Sequence, residues 1–417
     1  MKGTITMLKR TLALTLSLII SLAALAGCGD SSSGSSEAGS TPESSSQAQK
    51  LPETDEEWEA AMLERSLVSY GNVNPIKEKI EKAKAGDTVT LGYLGGSITE
   101  GYKVQPDECY ASLSYNIFKD MYGTGDNVKY CNAGLSGTPS RLGILRMGRD
   151  LLVSEPDIVF VEYAVNDGTD FTYQEAYESI IRTLLDRNIA VVLLFSVTKD
   201  DYSAQDYMKE IGTYYDLPMI SYCDALRFLF ENNRLTWKDF SNDEAHPNPE
   251  GHKLVASMIE HYFKTVTEQS SDPFTVPEEP KTLLLSYGAK MLEGDELEAD
   301  ELGGWYQGET DVASFTKGWS HIAGETAPIE FTLTGKNIFL IYKEVGSGNY
   351  ASAEVAYTTD SGEDSKLIKA VAKGGWGNPQ VAQIVSSDTE QTVKLKVSPI
   401  AGEEDKAFQI LGWAVTE

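Results

Sequence analysis

The chain has 417 residues, more than one ordinary domain holds, so two folded bodies are expected. Its 63 Asp and Glu outnumber 35 Lys and Arg, and the resulting net charge of −28 argues against nucleic acid or an anionic membrane surface as ligand. That charge sets solubility and carries no information about chemistry.

Lys2, Lys9 and Arg10 precede an apolar stretch over residues 12–25 that is too short to span a bilayer comfortably. The stretch closes on Leu25-Ala26-Gly27-Cys28, which resembles the lipobox of bacterial lipoproteins, whose mature chain starts at a lipidated cysteine. Residues 1–28 are therefore expected to be a signal peptide with its lipobox, and Cys28 the lipidated residue. Residues 29–50 are almost all Ser, Gly, Glu, Ala, Gln and Pro without an apolar period, the composition of a tether. The expectation is a folded body on the extracellular face of the bacterial cell membrane, meeting that membrane only through its lipid anchor.

Residues 51–267 alternate between two periods. Helical spacing is expected over 53–69 and 75–85, followed by an apolar run at 89–94 bounded by glycines, which reads as a buried strand. Helices are expected at 107–122, 140–152, 172–186 and 204–215, and strands at 127–131, 157–164, 189–196 and 217–221. Helices then continue to about residue 267, broken by a loop over 241–249. Strands alternating with helices of this length mean βαβ units on a parallel sheet, hence a three-layer α/β/α domain of flavodoxin-like type.

The strand ends carry the chemistry, because open parallel sheets bind ligands at their carboxyl edge. Ser97 follows two glycines at the end of the first buried strand. Gly137 and Asn166 follow the next two strands, and the 241–249 loop carries Asp243 and His246. Ser97 is a candidate nucleophile, inert at its own pKa without a base. His246 would supply the base, and Asp243 would hold its tautomer. The backbone N–H groups of Ser97 and Gly137 and the amide of Asn166 suit an oxyanion hole.

At this point the chain resembles the SGNH, or GDSL-like, hydrolases, on four motifs spread over about residues 88–265. They appear here as GGSIT with Ser97, NAGLSG ending in Gly137, EYAVNDG carrying Asn166, and DEAHPN carrying Asp243 and His246. One position departs from the family pattern: Gly96 stands where the motif has its aspartate. The resemblance implies hydrolysis of an oxygen ester through an acyl-serine, a mechanism that needs no metal or organic cofactor. His252 is read as solvent-facing on the helix after Pro249, and Arg141 and Arg146 as a solvated helix face. Cys109, Cys131 and Cys223 are odd in number and lie outside glycine-rich turns, so buried apolar thiols are expected, with a single pairing left open.

Residues 268–290 are polar and proline-bearing, a linker. Residues 291–417 then show short strands at 329–333, 337–343, 352–358, 393–397 and 408–415, the pattern of an antiparallel sandwich or jelly roll. Trp305, Tyr306, Trp319, Tyr350, Trp376 and Trp413 are many aromatics for so small a body. Most are expected to fill its core. Trp376, in the loop KGGWGN, is a candidate substrate-binding residue. A GDSL-like domain joined to such a body looks like carbohydrate esterases, which implies an acylated carbohydrate substrate, most simply an O-acetylated one. A lipase-like or lysophospholipase-like acyl esterase and a non-catalytic glycan-binding lipoprotein are the alternatives.

Overall fold

The computed structural model describes residues 51–312 and 314–417, so the expectations for residues 1–28, Cys28 included, and for the 29–50 tether lie outside the described residues. Helix α1 (Asp55–Ser66) ends three residues before the sequence pattern predicts, and the chain continues as an edge strand, β1 (Leu67–Ser69). Then follow α2 (Asn74–Lys84), β2 (Val89–Gly95), the single turn α3 (Ser97–Glu100), α4 (Tyr110–Tyr122), β3 (Val128–Gly134) and α5 (Ser140–Asp150). β4 (Ile158–Glu162), α6 (Phe171–Leu185), β5 (Ala190–Phe195), α7 (Gln205–Tyr214) and β6 (Met219–Ser221) repeat the alternation. α8 (Tyr222–Glu231), α9 (Trp237–Phe240) and α10 (Pro249–Val266) close the α/β domain.

The sheet order is β1-β6-β5-β4-β2-β3, with β1 antiparallel and every other pairing parallel. Counted among themselves, the five parallel strands run 2-1-3-4-5, the flavodoxin-like order. Every residue of β2, β4 and β5 is buried, as a parallel sheet covered on both faces requires. The order reverses between β2 and β4, and that crevice is where this topology places ligands.

The second domain is an antiparallel sheet of β7 (Lys290–Glu293), β8 (Trp305–Glu309), β9 (Lys317–His321), β10 (Ile329–Val345), β11 (Ser352–Thr359), β12 (Gly362–Lys369), β13 (Trp376–Pro399) and β14 (Gln409–Val415). Its order is β12-β11-β13-β10-β14-β9-β8, with β7 also paired to β14. Two sequence expectations change here. The segments 329–333 and 337–343 form one strand, β10, because Gly335 and Asn337 sit at a register shift in the pairing with β13 and not in a turn. Residues 376–399 likewise form one long strand, so Trp376 heads β13, opposite Val345, and does not hang in a free loop.

Trp305, Trp319 and Trp413 are buried in the core of this sheet, while Tyr306 and Trp376 are exposed. The two domains share apolar packing. Met291, Val312, Phe315, Phe339, Ile341, Val381, Leu411 and Ala414 join the core that contains Leu142, Tyr163 and Ile180 of the α/β domain. The stretch 268–290 runs along α6: Glu178 accepts from the Lys281 N–H at 2.6 Å, Glu175 from the Ser286 N–H at 3.1 Å, and the Pro277 carbonyl from Arg182 at 2.5 Å.

Candidate active site

Ser97 is the first residue of α3, placed there by the turn through Gly96, and is 8% exposed. A Cβ at position 96 would come 2.3 Å from Oδ1 of Asn166, so no residue but glycine fits while that amide holds its place.

The Ser97 Oγ lies 2.9 Å from Nε2 of His246. Nδ1 of that ring lies 3.0 Å from Oδ2 and 3.2 Å from Oδ1 of Asp243. Oδ1 also accepts the backbone N–H groups of Ala245 at 3.0 Å and His246 at 2.8 Å, which fixes the carboxylate beside the imidazole. The loop holding both residues is pinned from inside. Trp237 Nε1 donates to the Asp243 carbonyl at 2.6 Å, and Ser241 Oγ donates to the His246 carbonyl at 2.6 Å. Immediately afterwards Asn248 caps α10 by accepting the Gly251 N–H at 2.9 Å, with Pro249 at the first helical position. The sequence Pro-Asn-Pro thus stops the histidine loop and starts a helix in three residues.

Burial works against the charge of Asp243. Lys103, whose Nζ is 2.7 Å from Oδ2, and the two backbone donors outweigh it, so the carboxyl is held well below the usual carboxylate range.

Three further donors lie just after β2, β3 and β4. The first N–H of α3, at Ser97, has no helical acceptor. Gly137 adopts the left-handed region at φ 69° and its N–H has no partner among the described residues, and the Asn166 amide nitrogen is equally free of protein partners there. The structure therefore brings Ser97, Asp243, His246, Gly137 and Asn166 to one edge of the sheet, around the switch point. Such a set can deprotonate a hydroxyl, hold an oxyanion and return a proton to a leaving group.

Trp376 reaches the same place from the second domain. A Cβ on Gly137 would meet the indole at 2.6 Å from Cζ2 and 3.0 Å from Nε1, yet the ring is 63% exposed. One edge of the tryptophan rests on the loop at Gly137, and most of the ring faces solvent.

Two readings are corrected. Arg146 is buried, not solvated: it donates to the Gly95 carbonyl at 3.0 Å, to Asp150 at 2.9 Å and to the Tyr163 hydroxyl at 3.4 Å, bracing the end of β2. Its companion Arg141 lies over the Tyr173 ring. His252 is also buried. Its Nδ1 accepts the Tyr110 N–H at 3.1 Å, and burial together with the nearby His246 pushes its pKa down to about 4, so it is neutral at ordinary pH. Cys109, Cys131 and Cys223 are free thiols, and burial pushes Cys109 up to about 11 and Cys223 up to about 12. The sequence reading passed over Tyr102, whose ring lies 4.8 Å from that of His246, and Lys103. Nothing in their local pattern separates them from an ordinary turn.

Comparison with known proteins agrees with this geometry. Residues 93–254 match the GDSL-like Lipase/Acylhydrolase family. The chain thus carries a GDSL-like lipase/acylhydrolase domain, consistent with an ester hydrolase. Over 200 residues it is 24% identical to thioesterase 1/protease 1/lysophospholipase L1 of Escherichia coli (strain K12), covering 46% of this chain and 89% of that one. Both domains have a counterpart in a two-domain esterase active on acetylated mannans, crystallised with mannopentaose. That structure is 24% identical, with a TM-score of 0.74, and the match covers 85% of this chain and 98% of the other. The same esterase without the sugar gives a TM-score of 0.73.

Proposed function

We propose that this protein removes O-acyl groups, in the first place acetyl groups, from a polysaccharide. In this reading Ser97 attacks the ester carbonyl while His246 takes its proton and Asp243 steadies the imidazolium that forms. The tetrahedral oxyanion is held by the N–H groups of Ser97 and Gly137 and the Asn166 amide. His246 then protonates the sugar oxygen as it leaves. Water, deprotonated by the same ring, releases the acyl group from Ser97 and regenerates the enzyme.

The observation that carries the glycan reading is Trp376. An exposed indole anchored against the oxyanion loop offers a flat apolar wall at the point where the alcohol side of the ester must lie. Sugar faces suit such walls, whereas a long acyl chain needs an enclosed apolar groove. The likeness in fold, over both domains, to an esterase active on acetylated mannans supports the same choice. The lipobox-like LAGC at Cys28 supports display of the enzyme outside the cell membrane on a lipid anchor. In cells, Cys28→Ala is expected to lose fatty-acid labelling, and labelling that persists would remove the anchor from the reading.

The test is acetate release by residues 51–417 from acetylated mannan and acetylated xylan, beside p-nitrophenyl acetate and p-nitrophenyl octanoate. Acetate is expected from polysaccharide, falling by at least about 10³-fold in Ser97→Ala. Preference for the octanoate ester would move the protein to the lipid-acyl class. A folded protein inert on every ester would leave only glycan binding.

A further inference from the structure

The segment that follows the proposed nucleophile turns back onto the His-Asp loop. α3 stops after one turn at Gly101, and the next two residues both reach the far side of the site. Tyr102 lays its ring beside His246, and Lys103 donates to Oδ2 of Asp243 at 2.7 Å. The same oxygen faces Nδ1 of His246 at 3.0 Å, so one carboxylate oxygen serves an imidazole and an ammonium together. Lys103 accepts a left-handed backbone, φ 69°, to get there, a conformation that is uncommon for a long side chain.

We propose that Lys103 is a positioning residue that sets the pH range of the reaction by sharing the charge of Asp243 with His246. This rests on the acyl-serine reading above and adds the control of its base. Lys103 is not needed to fix the carboxylate, because Oδ1 is already held by the Ala245 and His246 N–H groups. What the ammonium changes is the charge that the imidazole feels. A lone carboxylate favours the protonated ring, and a base that is already protonated cannot accept the serine proton. With a cation on the same oxygen that pull is weakened.

The other groups around the ring leave this role to Lys103. From α10, His252 is neutral above about pH 4. From the turn, Tyr102 contributes an aromatic face. Within the loop itself, Glu244 is paired with Lys199 at 3.0 Å. The carboxylate that faces the ring is Asp243, at 3.0 Å.

The test is the pH profile of kcat/KM on p-nitrophenyl acetate for residues 51–417, comparing the parent with Lys103→Met, Lys103→Asn and Lys103→Arg. Met removes the charge and keeps the length. Asn removes it while tolerating the left-handed backbone, so a folding defect in the Met variant does not decide the outcome. The acid limb is expected to move to higher pH by about half a unit to one unit in both neutral variants, the small size reflecting solvent screening of a half-exposed lysine. Activity at pH 5 relative to pH 8 then falls roughly 3- to 10-fold, and Arg retains the parent limb. A limb that stays in place in Met and Asn overturns the proposal, even with a uniform loss of rate, and so does a limb displaced equally by Arg. Ser97→Ala run alongside separates the two readings: turnover surviving there sinks the acyl-serine mechanism, whatever the lysine variants do.

Discussion

Trp376 and Gly137 touch across a domain boundary, and the contact makes two different demands. The glycine holds φ 69°, which a residue with a Cβ adopts only under strain, and it must leave room for an indole that stands where a Cβ would go. Gly137→Ala violates both. It is expected to lower kcat on any ester by about 10²- to 10³-fold, the range for loss of one oxyanion donor. The tryptophan meets only one of these demands. Trp376→Ala is expected to raise KM on acetylated polysaccharide about fivefold, the equivalent of roughly 1 kcal/mol of lost ring contact. Its effect on p-nitrophenyl acetate should be smaller, since that substrate has no sugar to lay on the ring. Initial rates on the two substrates measure the ratio. An equal loss on both would make Trp376 a support for the oxyanion loop and nothing more.

At the scale of elements, the ends of β4 and α3 meet over a buried acid. Glu162, the last residue of β4, accepts from Thr99 of α3 at 3.2 Å and from the Ser196 hydroxyl, and burial raises it from 4.5 to about 7. Asp167, in the turn beyond, accepts from the Ser140 N–H and the Tyr207 hydroxyl, and burial raises it from 3.8 to about 7. Both acids bind protons more tightly folded than unfolded, so their contribution to stability is complete below about pH 4 and is lost as pH rises to about 7. Glu162→Gln removes one ionisation, and its amide can still meet Thr99 and Ser196. The fall in Tm between pH 4.5 and pH 8 is therefore expected to be smaller in the variant, by the equivalent of roughly 1–3 kcal/mol. Thermal melts across that range check it, and parallel curves would show that folding does not raise the pKa of Glu162. The sequence made these elements legible to unequal degrees. β2, β4 and β5 announce themselves because strands covered on both faces are unbroken apolar runs. The positions after β2, β3 and β4 follow from the rule that such sheets use their carboxyl edge. β12 carries no such signal, because GEDSKLIK is exposed almost throughout and is ordered only by pairing with β11. Arg146 and His252 were misread for a related reason. Each occupies a helix position whose burial is decided by a distant acceptor or donor, the Gly95 carbonyl and the Tyr110 N–H, and no local period records that.

For the molecule as a whole, the shared core decides how the two domains behave. Phe315, Phe339, Ile341, Val381 and Leu411 of the β-domain pack with the α/β core, and Arg149 spans the boundary to Glu293 at 2.8 Å and to the Ser314 carbonyl at 2.9 Å. Domains joined only by a linker keep polar facing surfaces and melt separately. Here separation would expose a continuous apolar patch on each partner, the kind of surface that drives aggregation. Residues 51–417 are thus expected to unfold in a single calorimetric transition whose calorimetric and van't Hoff enthalpies agree. A fragment ending at residue 267 is expected to be poorly soluble. Phe315→Ala, which removes a fully buried ring from the boundary, should lower the Tm of the whole transition, at a cost of about 3–5 kcal/mol, without splitting it. Two resolved transitions in the parent protein would mean that the boundary opens freely. Trp376 would then be held near Gly137 by chance of conformation and not by packing, and the rigid sugar-facing wall proposed for the site would lose its foundation.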